Sequence, residues 1–324
     1  ALTTHMLLRD EPDHRRLRGL VERAFLRQSV DALRPRLETL ADSMLDRLAD
    51  QARRAPGGVD LLEHFARPFP LAVICELLGL PPEDRPRFTR WASRVSTAGS
   101  LGGFLLAIPG LNKLMKYLRA EIERQTARPR DGLLAALIQA EEAGDRLSED
   151  ELLAMIFLLL LAGHETTLHQ IAGSVLALLD HPDQLRALTA DWGLAESAVQ
   201  ELLRHVSFAQ ISKPRFAREA LEFQGRAIGR GQMLIACLAS ANSDPERFEA
   251  PSRLDLRRDP NRHVAFGAGV HACLGAKLAR AEIEIALERL FTRFPALQLA
   301  APRSQIQYTK RMGSRGLVAL PIQL

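Results

Sequence analysis

The sequence predicts a mainly α fold with small β-sheets, an α+β architecture. Helical periodicity fills most of the first two-thirds of the chain, broken at prolines and glycines. After His205 the texture changes to short β-type runs in "ALEFQGRAIGRGQMLIACLAS", around Gly225, Gly229 and Gly231, and "GLVALPIQL" closes the chain as another strand candidate. No repeat or linker divides the 324 residues. Residues 1–324 are therefore expected to form one domain, mainly helical over 1–205, with short strands, a glycine-rich loop, a last long helix and a terminal strand over 206–324.

Apolar spacing predicts helices from His14 to Phe25, Val30 to Arg54 (with Pro35 near the start), Phe69 to Leu78 and Leu111 to Arg128. Further patterns run from Leu133 to Glu142, Glu149 to Leu179, Pro182 to Leu188, Glu196 to His205 and, last, Ala272 to Phe294. "GDRLSEDEL" marks one start sharply. Ser148 suits an N-cap, and Glu151 three residues on completes a capping box.

Composition is that of an ordinary globular protein, 47% hydrophobic and 25% charged. The 43 Lys+Arg against 39 Asp+Glu give a mild positive excess that suits nucleic acid, an anionic membrane surface or an acidic protein partner. No basic block is interleaved with aromatics, which argues against nucleic acid. Cys75, Cys237 and Cys273 are odd in number and widely spaced, so a reducing, cytoplasmic compartment is expected. The most apolar run, Leu152 to Ala162, is short of the roughly 20 residues that span a bilayer. It reads as a core helix, with no membrane span.

The sharpest motif is "FGAGVHACLGAKLAR", Phe266 to Arg280. Glycines bracket Cys273, and helical periodicity follows at once, so the cysteine stands near a helix N-terminus. There the helix dipole and unpaired N–H groups favour a thiolate. Glycine on both sides lets the backbone approach a flat ligand closely. Taken alone, a Gly-flanked Cys is more often a buried, inert residue, the reading given to Cys75 and Cys237 amid their apolar neighbours. The whole string, however, resembles the haem-binding loop of the cytochrome P-450 superfamily: Phe266, Gly267, Gly269, His271, Cys273 and Gly275 match, and Leu278, Ala279 and Arg280 continue the bacterial form. The resemblance implies haem b with Cys273 as axial thiolate ligand of the iron, which favours O–O cleavage. It implies Phe266 beside the sulfur and His271 on a propionate.

"AGHETTLH", within Leu158 to Gln170, puts polar residues inside an apolar helix. His164 and Glu165 invite a zinc-site reading, but His169 is five residues from His164. The two rings stand about 140° apart on a helix and do not converge on one metal. A mid-helix Glu-Thr-Thr facing solvent is the plain alternative. Within the resemblance, the string fits the oxygen-activating segment of the family's long central helix. Ala162 and Gly163 would leave room for dioxygen, and Thr166 would bond back to the Ala162 carbonyl. Glu165 and Thr166 would deliver protons as an acid and alcohol pair, with His164 and Thr167 as supporting residues.

Three more segments follow the family pattern. "ELLR" has Glu201 and Arg204 three apart, by itself the spacing of a surface ion pair worth a few tenths of a kcal/mol; the resemblance makes it a structural brace beneath the haem. "DEPDHRRLRGLVERAF" resembles the haem-contacting helix, with His14 and Arg18 facing the propionates and Arg15, Arg16 and Arg23 on a solvated face. Arg215 falls where the family carries another propionate-binding arginine. Leu161, Ala162, Phe208, Ala209, Ile211 and the Arg311 to Arg315 turn are candidate pocket residues, and their apolar bias implies a small hydrophobic substrate.

The resemblance covers essentially the whole chain and implies a haem-thiolate monooxygenase. It would use O2 and electrons from NAD(P)H through a ferredoxin or flavodoxin with its reductase, docked near Lys277 and Arg280. It also implies several tens of residues ahead of the His14–Arg18 helix, whereas Ala1 lies just before it. A fragment, a natural minimal form and a pocket roofed otherwise are the readings of that difference. Two alternatives stay open beside the monooxygenase: a peroxide-driven peroxygenase, and a haem-binding remnant or docking module without turnover.

Overall fold

The computed structural model describes residues 4–26, 30–96, 101–142 and 144–324. Its first half is helical: α1 (Asp13–Leu26), α2 (Val30–Arg54), α3 (Pro68–Leu78), α4 (Arg85–Ser96), α5 (Leu101–Ala127) and α6 (Leu133–Ile138). There follow α7 (Glu149–Asp180), α8 (Pro182–Ala190), α9 (Ala195–Val206), the short α10 (Leu238–Ala241) and α11 (Ala276–Arg293). β1 (Val59–Asp60), β9 (Pro321–Gln323) and β8 (Gln298–Leu299) form a three-stranded antiparallel sheet in that order. The rest are two-stranded pairs: β2 (Glu141–Glu142) with β3 (Asp145–Arg146), β4 (Arg215–Phe216) with β7 (Met233–Leu234), and β5 (Leu221–Phe223) with β6 (Arg226–Ile228). The mainly α class with small sheets is what the sequence predicts.

At the centre lies α7, apolar on nearly every side and therefore buried on nearly every side, against α3, α9 and α11. Its start is the capping box: Ser148 Oγ accepts from Glu151 N at 3.2 Å, and Glu151 Oε2 accepts from Ser148 N at 2.9 Å. Pro182 ends the run and opens α8 at a position where its missing N–H is harmless. Among the described residues, α7 is the one helix long and apolar enough to cross a membrane, and most of its apolar stretch is buried within the protein.

Some boundaries depart from the periodicity. Helix α4 carries no strong sequence signal, and α5 begins ten residues before Leu111, running through Pro109. Packing of α4 on α5 outweighs local propensity there. The pattern over Leu133 to Glu142 splits, because Gly144 (φ +87°) turns the chain and pairs Glu141 with Arg146. The last helix starts at Ala276, four residues later than expected, since Cys273 N is committed to Phe266 O at 2.9 Å in a loop.

Arg16 is no solvated side chain. It pairs with Glu151, tying α1 to the capping box of α7. Cys75 is buried, as expected, and burial pushes its thiol up to about 12. Cys237 is exposed, contrary to its apolar surroundings in sequence. It lies in an isolated bridge to Ile211 beside two-residue strands too short to cover their own side chains.

On α11, Glu282 is 2% exposed and its Oε2 has no hydrogen-bond partner, so burial raises its carboxyl well above the usual range. The folded protein keeps this proton where the unfolded chain releases it. Stability is thus fullest at low pH and falls as pH rises above the ordinary carboxylate range, by at most about 1.4 kcal/mol per pH unit for one proton. Glu282→Gln is expected to flatten that slope between pH 5 and 8 in urea unfolding; parallel curves for the two proteins would count against it.

Candidate active site

The site begins with a buried ion pair. Glu201 and Arg204 sit one turn apart on α9, 0% and 1% exposed, so the pair is not a surface one. Arg204 Nε and Nη2 donate to Glu201 Oε2 and Oε1, both at 2.7 Å, a bidentate fork. The remaining donors of Arg204 reach the carbonyls of Asn242 and Pro251, both at 2.8 Å, and Arg253 at 3.3 Å. Glu201 also accepts from Asp255 N, Arg258 Nε and Asn261 Nδ2, at 3.1 to 3.2 Å. Every lone pair and proton of the pair is used, the condition under which a buried charge pair is tolerable.

This hub fixes the segment that leads into the cysteine loop. Asn242 Oδ1 accepts from Val264 N at 2.8 Å. His263 Nδ1 accepts from Ala265 N, leaving Nε2–H to donate to Gln200 Oε1 at 2.9 Å. Phe266 then packs on the core beside His263, with ring centroids 6.2 Å apart. Gly267 (φ +68°) and Gly269 (φ +73°) take left-handed backbone that other residues resist. A Cβ at Gly267, Gly269 or Gly275 would meet nothing within 4 Å, so one side of the loop is open.

Cys273 is accessible from that open side, yet the protein around it still desolvates the thiol and pushes it up from its ordinary value. The Gly275 N–H and the Arg18 charge pull it back. Cys273 lies three residues before α11, and burial is the largest influence on its thiol. Arg18 braces the loop directly: its Nη1 donates to Ala272 O at 2.7 Å and its Nε to Glu22 at 2.6 Å.

Beside the loop, His14 and His271 rings meet at 4.0 Å. His14 is 2% exposed and neither ring nitrogen is hydrogen-bonded, although Glu11 Oε1 lies 3.7 Å from Nδ1. Burial lowers the His271 value, and the charges of His14, Arg215 and Arg18 lower it further against the pull of Asp10. The structure thus gathers His14, Arg18, Arg215 and His271, far apart in sequence, around the rim of the cysteine loop. Orphaned imidazole nitrogens and converging cations suit a ligand with carboxylates, and a thiol on an open glycine cradle suits a soft metal centre with a flat face. The residues present fit a haem.

On α7, Thr166 Oγ1 donates to Ala162 O at 2.6 Å, the predicted back-bond, and both residues are exposed on a helix otherwise buried. A Cβ at Gly163 would come within 3.0 Å of Ile74, so its smallness serves the close approach of α3. His164 Nε2 contacts Arg67 O at 3.1 Å, whereas His169 stacks on Phe208 at 5.0 Å. The two rings face different elements, as the helical spacing requires, and burial lowers each to about 4. Among the described residues no cluster of three metal-ligating side chains exists.

The pocket candidates are joined by backbone bonds. Gln210 N donates to Gly313 O at 3.0 Å and Arg315 N to Phe208 O at 2.9 Å, with Ala209 bridging Ser314. Leu161, Phe208, Ala209 and Ile211 are all half-buried. Sequence reasoning did not find Arg311 as the ion-pair partner of Glu165, nor Asn242, Arg258 and Asn261 at the hub. Those partners lie tens of residues away, and no local pattern marks them.

The family model described as cytochrome P450 matches residues 110–309. The chain belongs to the cytochrome P450 family. It is 43% identical over 322 residues to cytochrome P450 107B1 of Saccharopolyspora erythraea, covering 99% of this chain and 78% of that one. It is 40% identical to the polyketide biosynthesis cytochrome P450 PksS of Bacillus subtilis, and superposes on the PksS structure with a TM-score of 0.93 over 100% of this chain and 82% of that one. The structure of the mixed-function P450 MycG with mycinamicin V is similar at TM-score 0.91 and 39% identity, covering 98% and 80% of the two chains. As a cytochrome P450 of the bacterial type, the chain is a haem-thiolate monooxygenase, and hydroxylation or epoxidation is its reaction.

Arg204→Leu is expected to destabilise the fold by about 3 kcal/mol or more, because it strands Glu201 in the interior with Arg258 as its remaining cation. Urea unfolding measures this, and a change under 1 kcal/mol would show the hub to be dispensable.

Proposed function

We propose that this cytochrome P450 hydroxylates or epoxidises an apolar or amphipathic secondary metabolite of polyketide-like character, with haem b held by Cys273. The observation that carries the reading is the convergence of His14, Arg18, Arg215 and His271 on the rim of the open glycine cradle that presents Cys273. When bound, haem supplies the activation of dioxygen, with electrons from NAD(P)H passed on by a ferredoxin or flavodoxin and its reductase. The names of the relatives support the substrate class: PksS for polyketide biosynthesis and MycG for mycinamicin.

Each residue has a distinct task. Cys273 would hold the metal as a thiolate, the form that a bound cation favours. Phe266 and the glycines at 267, 269 and 275 shape the cradle. His14, Arg18, His271 and Arg215 bind the propionates, which give the His14 ring the partners it lacks within the protein and neutralise the cationic cluster. Glu201 and Arg204 keep the loop in register without touching the cofactor.

Across α7, Ala162 keeps the helix face low, and Gly163 lets α3 support that turn from behind. The Thr166 hydroxyl, anchored on Ala162 O, keeps its lone pairs for a water or for the reacting oxygen. Glu165 is the proton source beside it. Leu161, Phe208, Ala209 and Ile211, with the 311–315 turn, form the apolar wall that holds the substrate and excludes water. The redox partner is an acidic protein that docks near Lys277 and Arg280, and the chain works as one haem domain in the cytoplasm.

Two variants test this reading. Cys273→Ala is expected to abolish the strongly red-shifted Soret band of the reduced, carbon monoxide-treated protein; a haem spectrum unchanged by the substitution would overturn the ligand assignment. Thr166→Ala is expected to keep the band while diverting most reducing equivalents to hydrogen peroxide. Unchanged product per electron would remove Thr166 from the proton path.

A further inference from the structure

Glu165 is held by a residue from the far end of the chain. Its carboxylate pairs with Arg311 Nη1, 146 positions away, and both side chains are about a third exposed. The pair lies in a cleft of about 220 Å³ that Arg67, Leu168 and His169 also line. Thr166 does not line this cleft, but it stands one turn from His169, which does, so the two faces of α7 adjoin.

Arg311 has little freedom to wander relative to α7. The turn that follows it is bonded to the 208–211 segment through Gly313 O and Arg315 N. Gly313 (φ +82°) sits where a Cβ would come within 2.7 Å of Ile211. On the other side, Gly316 lies flat on the His169 ring, where a Cβ would come within 2.6 Å. His169 is in turn stacked on Phe208. The chain from Arg311 to Gly316 is thus clamped on both flanks, while Met312 at its tip is 94% exposed.

We propose that Arg311 is a positioning residue for proton delivery: by fixing the Glu165 carboxylate in the cleft, it sets how protons pass from there to the Thr166 hydroxyl. The inference rests on the Glu165–Thr166 relay proposed above. It adds that the turn assigned to the substrate wall also holds the acid of the relay, so one segment serves both.

The charges around Glu165 give the inference a second handle. Burial raises the Glu165 carboxyl, and Arg311 from the C-terminal segment and Arg67 from the residue before α3 oppose that rise. On its own helix, His164 and His169 are neutral above about pH 4 and add no charge at neutral pH. Removing the Arg311 charge therefore moves Glu165 titration to higher pH.

The experiment compares Arg311→Gln, Arg311→Lys and Glu165→Gln in the haem-loaded protein. Two quantities are read: product per electron consumed, and the pH midpoint of the Glu165 carboxyl stretch by isotope-edited infrared spectroscopy, assigned by its loss in Glu165→Gln. Arg311→Gln is expected to raise the midpoint and to lower product per electron severalfold, less than the roughly 100-fold that a general acid can contribute. Arg311→Lys, which keeps the charge on a different stem, is expected to restore the midpoint and part of the yield. If Glu165→Gln lowers the yield while Arg311→Gln changes neither quantity, this inference fails and the relay stands. If Glu165→Gln leaves the yield unchanged, the relay fails and the inference with it. Should Arg311→Gln not fold, Arg311→Met is read in its place, and both quantities at wild-type values overturn the inference.

Discussion

The bidentate pair between Glu201 and Arg204 is the interaction on which the rest of the site depends. Two charges with no exposure to water are costly, and their attraction alone does not offset the loss of hydration. Here each charge is shared with further partners from the 242–261 stretch, a region with little regular structure of its own. A loop rich in turns cannot hold its shape through ladder hydrogen bonds, so a side-chain hub replaces them. Because Asn242 reaches Val264, two residues before Phe266, order at the hub is transmitted directly to the cysteine loop.

Helix α7 supplies the opposite constraint. Its apolar surroundings fix its position, while a short polar interruption serves chemistry. His164 contacts the Arg67 carbonyl ahead of α3 and His169 stacks on Phe208, and both are held neutral by burial. Thr166 is left on an exposed face with its proton tied to the helix backbone, and Glu165 is drawn aside by a distant arginine. The two halves of the acid and alcohol pair therefore differ in kind: one is anchored locally, the other through tertiary structure.

That difference explains what was legible in the sequence. The capping box at Ser148, the spacing that separates His164 from His169, and the Thr166 back-bond are local matters of helix geometry, and each follows from residue order. The Phe266 to Gly275 loop was legible because its glycines, histidine and cysteine are consecutive, and its resemblance to a known family is specific. A helical glycine is silent about which neighbour approaches it, so the contact of Gly163 with Ile74 had no local signature. Cys237 misled because apolar neighbours in a two-residue strand do not guarantee burial. The long-range partners of Glu165 and Glu201 had no local signature at all. Helix α4 and the first turns of α5 were hidden by prolines and glycines whose cost is offset by packing between the two helices.

Several features near the cysteine loop are unfavourable for the chain taken by itself. A fully buried imidazole has unbonded nitrogens, four cationic or basic groups crowd one rim, and a thiol is raised by desolvation. Elsewhere charges are mostly paired, as in the Arg34–Glu284 and Arg289–Glu38 bridges that join α2 to α11. Local costs of this kind are what a protein accepts where it trades stability for function. A dianionic, flat, metal-bearing group would answer each of these at once, with carboxylates for the imidazoles and guanidinium groups, a flat face for the glycine cradle and a metal ion for the sulfur. The coincidence of these three mismatches in one place is a stronger argument for haem than any one of them, because loop geometry, rim charge and thiol environment arise from different segments of the chain.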